Sequence, residues 1–160
     1  MNYFKLFFSN NSILRILQND KFRKYKFKGL CLELGANYKT DRNFLNIKSK
    51  KYKTVYSNIE KKRKDYLFLD LQKKLNHKKK YDNIVVFNVL EHLNNLDSSL
   101  QNLFSLLKKG GRVLGSTPFI YRIHGAPKDY NRFTKDYLIQ ILKEKKFKKI
   151  EIEELGLGPF

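Results

Sequence analysis

A chain of 160 residues with 41% hydrophobic content, 10 Tyr and 13 Phe is long enough to bury one core and too apolar to be a disordered segment. Its single cysteine, Cys31, excludes an internal disulfide and any CxxC metal or redox motif, which suits a reducing, cytoplasmic setting. Lys and Arg number 34 against 15 Asp and Glu, a formal charge of +19, and no stretch approaches the ~18 uninterrupted apolar residues of a membrane span.

In chain order, NNSILRILQN at 10–19 places Ile13, Leu14, Ile16 and Leu17 on one helical face behind an Asn or Ser cap. Residues 29–34 read as a first strand, KTVYS at 53–57 as a second and YLFL at 66–69 as a third. YDNIVVFNV at 81–89 is the clearest strand signal. Asp97 is then the expected cap of a helix whose Leu100, Leu103, Phe104 and Leu107 follow the 3.6-residue period, with Gly110 as its left-handed stop. RVLGSTPF at 112–119 returns as a strand. Thr134 caps a last helix carrying Tyr137, Leu138, Ile141 and Leu142, and KKIEIEEL at 148–155 alternates as a further strand. Strand and helix alternate throughout, so the expected fold is α/β: a Rossmann-like, doubly wound, mostly parallel sheet with helices on both faces.

Sheets of this kind bind ligands beyond the carboxyl ends of their strands, where the strand order reverses. The polar residues at those ends are Glu33 and Gly35, Tyr56 to Asn58, Asp70, Asn88 to His92, and the segment from Thr117 to Asn131. No GxxxxGK cradle and no paired metal-ligand spacing occurs, so neither a phosphate loop nor a metal is expected. Cys31 reads as core, His77 as a solvent-facing residue among lysines, and His92 as a hydrogen-bonding fixture of the strand-to-helix junction.

The ordered set LELGAN, FLDLQ, YDNIVVFNVLEHLNNLDSSLQNLFSLLKKGGRVLGSTPF and HGAPKDYNRFT resembles the class I S-adenosylmethionine-dependent methyltransferases, in particular small domains with LEH after the fourth strand. The resemblance covers about residues 29–155. It implies S-adenosyl-L-methionine as cofactor, with Glu33, Gly35, Ala36 and Asn37 at its methionine end and Asn88 and Val89 as the wall beside that end. Asp70 and Leu71 match the pair that contacts adenine. Tyr56 occupies the place where the family usually carries a ribose-binding acid. A single close-approach glycine suffices, because the first loop of the family faces methionine and ribose, not a pyrophosphate.

The resemblance divides the chain into a helical lead-in, residues 1–28, and a methyltransferase domain, residues 29–160, in which the family's final antiparallel strand has no room. Chemistry is expected in PFIYRIHGAPKDYNRFT, with His124 as the base and Asp129, Tyr130 and Arg132 binding the acceptor; a structural Asp129–Arg132 ion pair is the alternative. Pro127 is expected to stiffen that loop. The acceptor is expected to be a small molecule, a sugar or a lipid. Lysines spread over every segment favour a solvated surface, with RNA as the alternative acceptor and a non-catalytic methyltransferase-like subunit as the third reading.

Overall fold

The computed structural model describes residues 12–46, 48–125 and 128–155. Five strands, β1 (Gly29–Leu34), β2 (Tyr52–Asn58), β3 (Leu67–Phe68), β4 (Tyr81–Phe87) and β5 (Leu107–Ser116), pair in the order β3-β2-β1-β4-β5. Every pairing is parallel. The helices among the described residues are α1 (Ile13–Arg23), α2 (Leu96–Ser105) and α3 (Lys135–Glu144).

Successive side chains on a strand face opposite ways, and here each way meets helix. Leu32, Leu34, Ile84 and Val86 pack with Leu100 and Leu103 of α2 and Ile141 of α3. Cys31 and Val85 point to the other side, against Leu45, Tyr56 and Phe22 of α1. The central strands β1 and β4 are therefore covered on both faces, which is why they read as continuous apolar runs. The expected doubly wound α/β fold is the one observed.

Several local expectations change. Ser12 caps α1 and Thr134 caps α3, each hydroxyl accepting from the N–H three residues on. Yet Ile13 is 59% exposed, and the fully buried side chain of α1 is the polar Gln18. Asn95, not Asp97, caps α2, accepting from the Ser98 N–H at 3.1 Å. The Gln72 side chain holds the Asn94 and Asn95 N–H groups and so sets where the helix starts. Asp97 lies in the first turn and pairs with Lys145, tying α2 to α3.

Gly110 does not stop α2, which ends five residues earlier at Ser105. The Leu106 carbonyl already accepts from the Tyr81 N–H at 2.8 Å, so β5 begins at once. Gly110, with φ of 76°, sits in a bulge where β5 runs from Leu107 to Arg112 against Tyr81 to Asn83. The strand expected at 148–155 is not formed: Lys146 and Lys149 are left-handed, which interrupts extension, and Glu153 pairs instead with Lys21 of α1. Alternation is also incomplete, since among the described residues the crossover from β1 to β2 contains the 3₁₀ turn Thr40–Arg42 and no α-helix.

That crossover is held from beneath by Glu33. Its two carboxylate oxygens accept from the Phe44 N–H at 3.0 Å and the Leu45 N–H at 2.7 Å, and Tyr56 donates its hydroxyl to the Leu45 carbonyl at 2.5 Å. Phe44 stacks on Phe87 at 4.0 Å, and the Arg15 guanidinium covers its other face at 3.6 Å. A segment without helix thus gets its order from one buried carboxylate and one aromatic stack. Glu33→Ala leaves the buried Leu45 N–H and the part-buried Phe44 N–H without their acceptors and is expected to cost about 2–4 kcal/mol. Urea unfolding measures the loss, and unchanged stability would contradict this role.

Candidate active site

β1 and β4 lie side by side, but the chain leaves them in opposite directions, β1 toward β2 and β4 toward β5, so a crevice opens beyond their carboxyl ends. Gly35 closes β1 with φ of 66°, and a Cβ there would stand 2.7 Å from Val89 Cγ2. Only glycine lets the two strand ends come this close. The Ala36 N–H then donates to the Ser57 carbonyl, and Asn58 Nδ2 donates to the Ala36 carbonyl, both at 2.9 Å. Asn37 is held by Asn43 and by the Tyr66 hydroxyl, which donates to its carbonyl at 2.7 Å. It is not left-handed, although asparagine in a second-glycine position invites that conformation.

The left-handed asparagine of the rim is Asn88, with φ of 53°. Its N–H donates to the Ser116 carbonyl, and its Oδ1 accepts from Gln18 Nε2 at 2.9 Å. Gln18 Nε2 also lies 2.6 Å from Ser116 Oγ, while Gln18 Oε1 is buried with no hydrogen-bond partner among the described residues. α1 thereby bridges the ends of β4 and β5. Sequence analysis passed over Gln18; the available signal is a glutamine four residues before Phe22, on the stripe that faces the sheet.

After β3, Asp70 Oδ1 accepts from the Gln72 N–H at 3.0 Å, and the carboxylate stays 16% exposed on the rim, with Lys73 beside it. Leu71 is buried, its carbonyl bonded to Asn102 Nδ2. Glu33 and Tyr56 stand apart from these residues: both are buried, and the contacts given above turn them into the α1 face instead of the open edge.

The loop after β5 folds back over β4. The Glu91 carbonyl accepts from the Tyr130 and Asn131 N–H groups, and Asn131 Nδ2 donates to the Leu93 carbonyl. Asp129 and Arg132 form the two-point ion pair, at 2.5 and 2.7 Å. Bonding from Arg132, then from the His124 N–H, holds the Asp129 carboxyl well below its usual range. Asp129 Oδ2 also lies 3.2 Å from His124 Nδ1, and the His124 ring meets His92 edge-on at 5.0 Å. His92 Nδ1 lies 2.6 Å from the Lys128 carbonyl, the fastening role expected of it. Tyr130 is exposed; Pro127 lies outside the described residues. His77 is not a free surface residue, for it stacks on Tyr81 and shares a 2.8 Å hydrogen bond with its hydroxyl.

The protein family described as a methyltransferase domain matches residues 13–152. The chain belongs to the class I S-adenosylmethionine-dependent methyltransferases. The cofactor expected from the sequence, S-adenosyl-L-methionine, is the cofactor of that family. The fold is similar to that of the CurJ carbon methyltransferase, with a TM-score of 0.65 at 17% identity over 94% of this chain and 52% of that one. It is also similar to phosphoethanolamine N-methyltransferase 2 of Haemonchus contortus in complex with S-adenosyl-L-methionine: TM-score 0.61, 16% identity, 91% of this chain and 40% of that one. An S-adenosylmethionine-dependent methyltransferase from Clostridium acetobutylicum gives a TM-score of 0.61 at 11% identity over 89% of this chain and 84% of that one. The chain spans about half the length of the first of these and less of the second. Comparison with curated proteins finds no match.

Gly35, Ala36, Asn37, Asp70, Asn88 and Val89 thus stand on the rim of strand ends, and His124, Asp129 and Tyr130 on the loop that folds back over the end of β4. No described helix is long and apolar enough to cross a membrane. Beneath the rim, burial pushes the Glu33 carboxyl up to about 7 from 4.5, against the opposing pull of the Leu45 and Phe44 N–H groups and Arg15. Burial likewise raises Glu91 to about 7. A carboxyl that binds its proton more tightly when folded adds stability that is complete below its ordinary value and is lost as pH rises through about 7. Unfolding free energy is therefore expected to fall between about pH 5 and pH 8, by at most ~3 kcal/mol per group at 1.36 kcal/mol per unit. Glu33→Gln is expected to remove a large part of that slope in urea titrations run across this range, and the full slope in the variant would refute the assignment to Glu33.

Proposed function

We propose that this methyltransferase moves a methyl group from S-adenosyl-L-methionine to a small-molecule, sugar or lipid acceptor by in-line displacement. The observation that carries the reading is the meeting, at the sheet's switch point, of a glycine rim that a Cβ would block with a loop that holds an aspartate-oriented histidine. The residues fit the cofactor in kind. Gly35 leaves the β1 end open for close approach, Asp70 offers a carboxylate acceptor for the adenine amine beside Leu71, and Asn88 and Val89 wall the methionine end. Gln18 Oε1 adds a buried acceptor, suited to a ligand N–H. Glu33 and Tyr56 serve this site from behind, by fixing the crossover that carries the rim.

The cofactor supplies a methyl group on a sulfonium sulfur, and the sulfur keeps the bonding electron pair when the methyl leaves. The protein's part is largely to hold the acceptor atom in line. The Arg122 carbonyl accepts from His124 Nδ1 at 3.3 Å, with the Asp129 carboxylate 3.2 Å away, which leaves the lone pair on Nε2 to take a proton from an acceptor that arrives protonated. Asp129 and Arg132 shape the loop by their ion pair, while Tyr130 remains available to the acceptor. Phe119, Ile120 and Ile123 are 58%, 88% and 87% exposed on the same loop, which supports an acceptor with an apolar portion. Residues 29–160 act as the methyltransferase domain and residues 1–28 as its lead-in, in a cytoplasmic setting consistent with the buried free thiol of Cys31.

Two variants test the division of labour. Asp70→Ala is expected to weaken S-adenosylhomocysteine binding by about ten- to a hundredfold in calorimetry, the usual loss of a hydrogen bond to a charged group. His124→Ala is expected to keep that affinity while slowing methyl transfer to an alcohol or phenol acceptor by about a hundredfold or more. Equal affinity in Asp70→Ala, or lost cofactor affinity in His124→Ala, would overturn the corresponding role.

A further inference from the structure

Donor atoms of Glu91, His92 and His124, two residues from the turn after β4 and one from the loop after β5, lie within 4.8 Å of one another. We propose that these three side chains form a binding site for a divalent cation of the zinc type, held by two imidazoles and one carboxylate.

Glu91 is the first reason. It is 0% exposed, its Oε1 has no hydrogen-bond partner among the described residues, and its Oε2 has a long 3.4 Å contact from Thr117 Oγ1. A buried carboxylate oxygen in that condition is costly unless a cation or a proton meets it. The second reason is the state of the two rings. His92 Nδ1 faces the Lys128 carbonyl at 2.6 Å, and a carbonyl can only accept, so Nδ1 carries the proton and the lone pair is on Nε2, 3.8 Å from Glu91 Oε1. His124 Nδ1 faces Asp129 Oδ2 at 3.2 Å and the Arg122 carbonyl at 3.3 Å, again acceptors only, so its lone pair is also on Nε2. Outer hydrogen bonds of this kind, here to the Lys128 and Arg122 carbonyls, orient imidazoles for metal ligation, and the Asp129 carboxylate steadies His124 by accepting from its backbone N–H. Asp129 stays an acceptor because Arg132 holds it ionised.

Metal–ligand bonds of about 2.0–2.2 Å require donors about 3–3.5 Å apart, so capture draws the three inward. His124, with 30% of its side chain exposed on a loop, can make that movement by rotation. Neutral imidazole with carboxylate suits Zn²⁺ and its neighbours over Ca²⁺ or Mg²⁺, and three protein ligands leave positions for an oxygen of the acceptor. That use of the open positions rests on the methyl-transfer reading; ion binding does not. The ion occupies the His124 lone pair that proton uptake needs, so a loaded chain would hold the acceptor oxygen by the metal instead.

The test is calorimetric titration of the chelator-treated full chain with ZnCl₂, without any methyl donor. One ion per chain is expected, with affinity reduced by about a hundredfold or more in Glu91→Gln and in His124→Ala, and by about tenfold in Asp129→Asn, whose carboxylate only orients His124. His77→Ala, outside the cluster, is expected to bind like the unaltered chain. Melting curves establish that each variant folds, and His124→Ala decides the matter if Glu91→Gln does not. No binding by the unaltered chain, or full affinity in the folded variants, would overturn the site. S-adenosylhomocysteine binding that persists in that case would leave the methyltransferase reading standing.

Discussion

β1 hydrogen-bonds to β2 on one side and to β4 on the other, and the remainder of the structure depends on that double pairing. Because both neighbours run parallel to it, all three strands end at the same edge, and the chain has to depart from β1 and β4 in opposite directions. The crevice between those departures is a consequence of topology before any side chain acts. Gly35 and Asn88, both at positive φ, are the local answer: each turns the chain out of the strand at the sheet edge, and Gly35 does so without a Cβ where Val89 packs close. The polar rim then follows from short tethers, Ala36 to Ser57 and Asn88 to Ser116, that carry the ladder a residue or two beyond the strands.

The parts of the fold that sequence revealed are those where burial decides everything. IVVF in β4 and LCLEL in β1 can only be strands covered on both faces, and the 3.6 period of Leu100 and Leu103 marks a helix lying on them. Boundaries escaped wherever a distant partner sets them. Asn95 caps α2 because Gln72, more than twenty residues earlier, holds the chain in place, and β5 starts before Gly110 because Tyr81 claims the Leu106 carbonyl. The alternating KKIEIEEL has the pattern of a strand but no pairing partner among the described residues, and left-handed Lys146 and Lys149 precede and enter it. Pattern reports which face is apolar; it does not report whether a neighbouring edge is there to pair.

The site divides in the same manner. The positions of Gly35 and Asp70 at the strand-end rim were legible because their signals are local: a glycine after a buried strand, an acid at a strand end. Glu33 and Tyr56 looked like ligand contacts from the same positions, yet their partners lie at Phe44 and Leu45, in a crossover with little secondary structure to betray it. Gln18 went unnoticed because a polar residue on a helix is ordinarily solvated, and only the packed structure shows it buried against Asn88 and Ser116. Asp129 and Arg132 found each other, which turns them from acceptor contacts into the frame that orients His124.

We propose that the carboxyl edge of β1, β3 and β4 receives the methyl donor. Amide NMR of the isotopically labelled chain during titration with S-adenosylhomocysteine tests it most directly. The largest shifts are expected at Gly35 to Asn37, Asp70 to Leu71 and Asn88 to Val89, with little change at the opposite edge around Gly29, Tyr52 and Tyr81. Shifts centred on that opposite edge, or none at saturating ligand, would contradict it.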